Sequence, residues 1–380
     1  MRKTRKWLGL AVLGVMLICS TGCGGKKEEQ VLKLGLATPL TGPAAYSGGV
    51  VKNAVTMAVD EINESGGING TWKIELYVED NENEPAKSVS ATEKLINQDG
   101  VQVLISGTNS SCVLADMAVS QQAQVPELAP ASTAPALTEQ GNPYIFRTAT
   151  TDAVNVKTLY KYLTQEMGLN RIAVLYRTDD FGMNGMALLE EYAPEYGVEI
   201  LQRETFNITD RDFSVQLTKI KESNAEALFI WGQYEEVTLM CKQMKQYDVK
   251  LPILGAGYNS PKLVEMGGAD VEGIMFAASF SDANPDPVVQ EFDKKYKERF
   301  SGESYDQNAP QSYDTVYLIA DAVKKAGSLE SEKIRDILAQ TNGFDGISGV
   351  LSFDENGEAI KDVLMIQIEN GQHKILEFSK

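Results

Sequence analysis

The sequence predicts an α/β protein built of two doubly wound, Rossmann-like lobes. Short β-rich runs alternate with helical runs along almost the whole chain, the order that produces parallel sheets covered on both faces. The alternation comes as two series, one before and one after residues 144–147. The 380 residues, 43% of them hydrophobic, suffice for two cores.

The first series opens with a strand from Leu32 to Ala37. Val51, Ala54, Ala58 and Ile62 then recur at helical spacing, and Gly66-Gly67 stops the helix. A strand from Lys73 to Glu79, a helix from Ala86 to Asn97, a strand from Val101 to Ile105 and a helix from Val113 to Gln124 complete one βαβαβ unit. After the run Tyr144 to Arg147 the second series brings a helix from about Ala153 to Glu166, a strand from Arg171 to Tyr176 and a helix from Met183 to Tyr196. It continues with strand Glu199 to Glu204, helix Phe213 to Glu222, strand Ala227 to Trp231, helix Val237 to Tyr247 and strand Leu251 to Leu254. Beyond Gly273 to Ala278 lie helical stretches at Val288 to Phe300, Tyr313 to Lys325 and Ser331 to Gln340, then strands near Val350 to Phe353 and Val363 to Ile368. No internal repeat or low-complexity tract interrupts the pattern.

The charge balance removes several function classes. With 35 basic and 53 acidic residues the formal charge is −18, which repels nucleic acid and anionic lipid. The single histidine, His373, gives histidine triads and histidine-rich metal sites almost nothing to draw on. No Walker phosphate loop, Gly-x-Gly-x-x-Gly run or Gly-x-Ser-x-Gly elbow is present, so no nucleotide cofactor and no hydrolase chemistry is expected. The acidic run from Glu79 to Glu84 lacks the central glycine and ligand spacing of a calcium loop, and no metal is expected.

Arg2, Lys3, Arg5 and Lys6 precede an apolar run from Trp7 to Ile18, the pattern of a secretory signal peptide over residues 1–22. The run is short of the roughly 20 residues that span a bilayer as a helix. Ser20-Thr21-Gly22-Cys23 resembles a lipobox, which makes Cys23 the expected lipidated first residue, followed by a polar tether over residues 23–30. Removing residues 1–22 takes away four basic side chains and no acidic ones, which carries the formal charge from −18 to −22. Of the remaining cysteines, Cys112 and Cys241 lie far apart in separate elements, and free buried thiols are expected.

A resemblance then covers essentially the whole mature chain. Leu36-Ala37-Thr38-Pro39-Leu40-Thr41-Gly42-Pro43, Ala58-Val59-Asp60-Glu61-Ile62-Asn63 and Ala129-Pro130-Ala131-Ser132-Thr133 resemble the corresponding segments of type I substrate-binding proteins. Tyr258-Asn259-Ser260-Pro261 and Ser352-Phe353-Asp354-Glu355-Asn356-Gly357 extend the match, which is to the branched-chain amino acid (leucine/isoleucine/valine-binding) branch. The resemblance implies the type I periplasmic-binding-protein fold, two lobes closing on a small ligand. Its expected lobes are residues 31–148 with 279–347 and residues 149–278 with 348–380.

The same resemblance implies a binding set. Ser110 matches the hydroxyl that donates to the ligand carboxylate, at a helix N-terminus whose amides add partial positive charge. Ala131, Ser132 and Thr133 fall in the loop that holds the amino-acid head group. Tyr46 matches a ring of the first cleft loop, with Ser47 as the alternative in that register, and Phe181 and Tyr234 match aromatic positions of the closing lobe. One departure stands out: relatives place an acid before the Tyr/Trp-x-Ser-Pro motif, whereas this loop reads Leu254-Gly255-Ala256-Gly257-Tyr258. A buried ammonium without a charged partner is costly. Either another carboxylate substitutes, Glu235 first or Asp152, or the ligand is an amide or small carboxylate. The expected activity is non-enzymatic: an extracytoplasmic, lipid-anchored, monomeric binding protein serving ABC permease subunits, or a ligand-sensing module using the same cleft.

Overall fold

The computed structural model describes residues 30–107 and 109–377. The expected signal peptide, Cys23 and the tether up to residue 29 lie outside the described residues.

The first sheet is laid down by β1 (Val31–Thr38), β2 (Lys73–Asp80), β3 (Val103–Ser106), β4 (Glu127–Ala129) and β5 (Ile145–Arg147), all parallel in the order β2-β1-β3-β4-β5. Helices α1 (Ala45–Glu64), α2 (Pro85–Lys94) and α3 (Ser110–Ala123) make its crossovers. β1 is apolar on both faces because both are covered: Leu32, Leu34 and Leu36 pack on Val51, Val55 and Ala58 of α1, while Ala37 joins Leu95, Val101 and Leu104 on the other side.

The chain then crosses to a second lobe. Here α4 (Asp152–Lys161), β6 (Arg171–Arg177), α5 (Asp180–Tyr196), β7 (Glu199–Phe206), α6 (Ser214–Glu222), β8 (Ala227–Trp231), α7 (Tyr234–Gln246), β9 (Ile253–Ala256), α8 (Pro261–Gly267) and β10 (Met275–Ala278) follow one another. Its sheet has the order β7-β6-β8-β9-β10 in parallel strands. Separate cores fill the two faces, one around Leu217, Val237 and Phe276, the other around Leu159, Leu189 and Phe229.

Helices α9 (Pro287–Arg299), α10 (Asn308–Ala326) and α11 (Ser331–Leu338) return to the first lobe, where Val316, Ile319 and Val323 of α10 share the core of α1. A small antiparallel sheet of β11 (Phe344–Gly346), β12 (Gly349–Phe353) and β13 (Ala359–Ile360) follows. Only then does the chain rejoin the second sheet as the antiparallel hairpin β14 (Leu364–Glu369) and β15 (Gln372–Leu376), β14 lying beside β10.

That path moves the expected lobe boundary. Residues 348–360 were expected in the second lobe, but Leu351, Phe353 and Ala359 are buried in the first-lobe core. Phe353 meets Phe146 at a ring-centroid distance of 5.3 Å, and Glu358 pairs with the buried Arg147 of β5. The last crossing therefore falls at residues 361–363. There Lys361, buried, donates to Ser348 Oγ at 2.6 Å beside the buried carboxylate of Asp314, which Ser348 N approaches at 2.8 Å.

Candidate ligand cleft between the lobes

The carboxyl ends of the parallel strands of both sheets face one another, and a cleft of about 780 Å³, its open mouth included, lies between them. From the first lobe it is lined by Ser47 after β1, Asn109 and Ser110 after β3, Ala131 and Thr133 after β4, and Ala149 and Thr150 after β5. The second lobe adds Asp179 and Phe181 after β6, Gln233 after β8, Gly257 after β9 and residues 277–279 at the end of β10. Open α/β sheets gather their binding loops at this end because crossover connections splay apart there.

Local chemistry fixes each wall. Asn109 caps α3, its Oδ1 accepting from Ser111 N at 2.9 Å, so Ser110 is the first helical residue with its hydroxyl at the cleft. Thr151 caps α4 in the same way, accepting from Ala153 N at 3.1 Å, and this sets Asp152 at the helix's first position. Asp152 is sealed from water, and its carboxylate accepts from Thr133 Oγ1 at 2.8 Å and from Asn155 Nδ2 at 3.2 Å. Burial pushes its pKa up to about 6, against the lowering by these two donors.

Asp179 is differently placed. Its Oδ1 accepts from Gly182 N at 3.1 Å as the cap of α5, and the buried Arg177 holds Oδ2 at 2.5 Å. Its charge is thus already matched. No lysine or arginine lines the cleft among the described residues. Nor do the described residues form a cluster of three or more metal-ligating side chains. The acidic run noted in the sequence is the end of β2 and the turn after it, where Asp80 Oδ1 accepts from Leu40 N and Glu82 N, each at 2.8 Å.

Of the residues expected from sequence, the structure brings Ser110, Ala131, Thr133 and Phe181 into the cleft wall and leaves four outside it. Ser132 is buried behind the loop. Tyr46 is replaced in the wall by its neighbour Ser47, because one step along α1 turns the side chain away: the Tyr46 hydroxyl donates to Ser304 O at 3.1 Å and its ring meets Tyr234 edge-on at 6.0 Å. Tyr234 therefore closes the rim, and Gln233, the N-cap of α7, is the residue that reaches the cleft. Glu235 is corrected for the same reason. It stands beyond the cap, half-buried, near enough to the sealed carboxylate of Asp306 to help raise its pKa, to about 7, although burial is the main cause. Asp306 in turn accepts from Ser47 Oγ at 3.2 Å.

The loop before Tyr258 has no room for a side chain at Gly257. Gly257 has φ +96°, and a Cβ there would lie 2.5 Å from Gly232 O and 2.6 Å from Phe181 Cζ. No side chain fits where Phe181 packs. Asn155, Gln307, Asn308 and Gln311 also line the cleft and were not anticipated. The last three stand at the first turn of α10, which begins at Asn308, five residues before the stretch legible from Tyr313.

The lobes touch across the mouth. Ser111 Oγ of α3 donates to Asp180 Oδ2 of α5 at 2.5 Å, Ser304 Oγ donates to Glu265 Oε1 of α8 at 3.1 Å, and Lys262 Nζ stands 5.3 Å over the Tyr46 ring. The cleft is therefore described in a closed state.

Comparison with known proteins agrees with this architecture. The periplasmic binding protein family matches residues 31–373. The chain is 28% identical over 347 residues to "Leu/Ile/Val-binding protein homolog 1" of Brucella abortus, covering 91% of this chain and 92% of that one. Among solved structures, a leucine-binding protein from Thermotoga maritima superposes with a TM-score of 0.84 at 29% identity, covering 91% of this chain and 98% of that one. The branched-chain amino acid transporter substrate-binding protein of Streptococcus pneumoniae, solved with isoleucine, gives a TM-score of 0.83 at 28% identity, covering 91% and 99%. The order of strands, the cleft at their carboxyl ends and a match over nearly the whole described chain lead to one conclusion: this chain belongs to the periplasmic binding protein family and has its type I fold.

Proposed function

We propose that the protein captures a small amino acid outside the cytoplasmic membrane and delivers it, as a monomer tethered by a lipid on Cys23, to the permease subunits of an ABC importer. The observation that carries this reading is the dipolar arrangement of the cleft wall, with donors at the start of α3 and an acceptor at the start of α4. Ser110 and the amide end of α3 offer neutral and partially positive donors to a carboxylate. The Ala131–Thr133 loop and the sealed Asp152 offer acceptors to an ammonium. Asp152 thereby takes the charge-matching role for which the loop before Tyr258 holds no acid. The leucine-, isoleucine- and valine-binding names of the relatives support amino-acid capture.

Ligand and lobes must be coupled for delivery. A ligand held by both lobes adds contacts that exist only in the closed state, and this differential affinity shifts the population toward closure. Native mass spectrometry of gently purified protein tests the reading. A bound mass equal to one small amino acid, lost on denaturation, is expected, together with thermal stabilisation of about 2.7 kcal/mol when that amino acid is added at 100 times its dissociation constant. No stabilisation by any amino acid, with stabilisation by a carboxylate lacking an amine, would contradict it.

A further inference from the structure

We infer that the bound amino acid carries a neutral hydrogen-bonding side chain, a carboxamide or hydroxyl, and that leucine, isoleucine and valine are poor ligands. This rests on the amino-acid reading above and deepens it. Beyond the head-group set, the cleft wall is formed by Gln233, Ser279, Gln307, Asn308 and Gln311. The apolar groups facing them are alanine methyls and the one ring of Phe181. A branched aliphatic side chain needs a continuous apolar surround to gain from leaving water. Here it would desolvate amides and hydroxyls without giving them partners.

Two buried atoms make the argument specific. Gln311 is 2% exposed and Thr150 4%, both line the cleft, and neither Gln311 Oε1 nor Thr150 Oγ1 has a hydrogen-bond partner among the described residues. Buried polar atoms are almost always paired, so an unpaired pair in a ligand cleft marks where a ligand donor belongs. Charge then narrows the class. Asp152 is balanced by the ligand ammonium and Asp179 by Arg177, which leaves no carboxylate for a cationic side chain. With no lysine or arginine in the wall, an acidic side chain has no partner either. A neutral group that both donates and accepts satisfies what remains.

Calorimetric titration of the refolded, ligand-free protein with single amino acids tests this. Glutamine, asparagine, serine and threonine form one set; leucine, isoleucine and valine a second; glutamate, aspartate, lysine and arginine a third. The inference expects a member of the first set to bind about 100-fold or more tightly than any amino acid of the other two, a floor well below the roughly 10⁴–10⁵-fold by which a site built for hydrogen bonds can reject a ligand lacking them. Gln311→Leu should shrink that preference at least tenfold while leaving the circular dichroism spectrum unchanged. A tighter ligand in the second or third set overturns the inference but keeps the amino-acid reading. Failure of all three sets overturns the inference, and failure of the remaining amino acids too overturns that reading as well. The wild-type series decides the matter even if Gln311→Leu does not fold.

Discussion

A carboxylate sealed from water is costly, and burial outweighs what the neutral donors Thr133 and Asn155 and the more distant charge of Arg147 give back to Asp152. Its pKa near 6 gives the first expectation. An approaching ammonium favours the ionised form, so amino-acid affinity should hold above pH 6 and weaken as pH falls through that value; isothermal titration between pH 4.5 and 8 reads it. Affinity that stays flat would detach Asp152 from the ligand. A second expectation concerns Gly257. Gly257→Glu puts an acid in this loop but must displace Phe181, so binding should be lost rather than improved, as a thermal shift assay with ligand would report. The resemblance pointed to Ser110, Ala131, Thr133 and Phe181, all of which line the cleft. It could not separate Tyr46 from Ser47, or Gln233 from Tyr234, because which neighbour reaches the cleft depends on where the helix cap falls, and a one-residue shift turns a side chain by about 100°.

At the level of elements, the closed state depends on a few contacts between α3 and α5, and between α8 and the segment before α10. Ser111→Ala removes the hydroxyl that Asp180 accepts from, and should weaken ligand binding several-fold through a faster dissociation rate while the free protein melts as before; stopped-flow measurement separates the two. The last crossover is held by Asp314, Ser348 and Lys361, all buried. Asp314→Ala leaves Lys361 without a counter-charge, and should cost about 3–5 kcal/mol in chemical denaturation. Long periodic segments such as α1, β6 and β8 were legible because both faces of the sheets are covered and the apolar pattern is continuous. The short β4, α8, β11, β13 and β15 were not, since two to seven residues hold too few periods to register. The displacement of residues 348–360 into the first lobe had no local signal at all: it is set by Phe353 meeting Phe146 and Glu358 meeting Arg147, partners some 200 residues away in the chain.

Over the whole molecule, the two-lobed α/β fold followed from the alternation of runs and from the resemblance, whereas the ligand class required side chains from loops of both lobes to be brought together. Burial also leaves a signature in stability. Asp152 and Asp306 have pKa values of about 6 and 7 against 3.8 when exposed. An acid whose folded value is raised binds its proton more tightly in the folded state, so this contribution is complete below 3.8 and is lost as pH rises through about 7. The ligand-free protein should therefore melt at a higher temperature at pH 5 than at pH 8, and ligand should narrow the difference by neutralising Asp152. The central claim is that an ammonium sits against Asp152 in the closed cleft. Calorimetry on wild type and Asp152→Asn, each with the tightest-binding amino acid and with its desamino analogue, tests it most directly. The account predicts that the substitution weakens the amino acid about 100-fold or more and the analogue less than threefold, since only the former loses a charged partner; equal losses for the two ligands would contradict it.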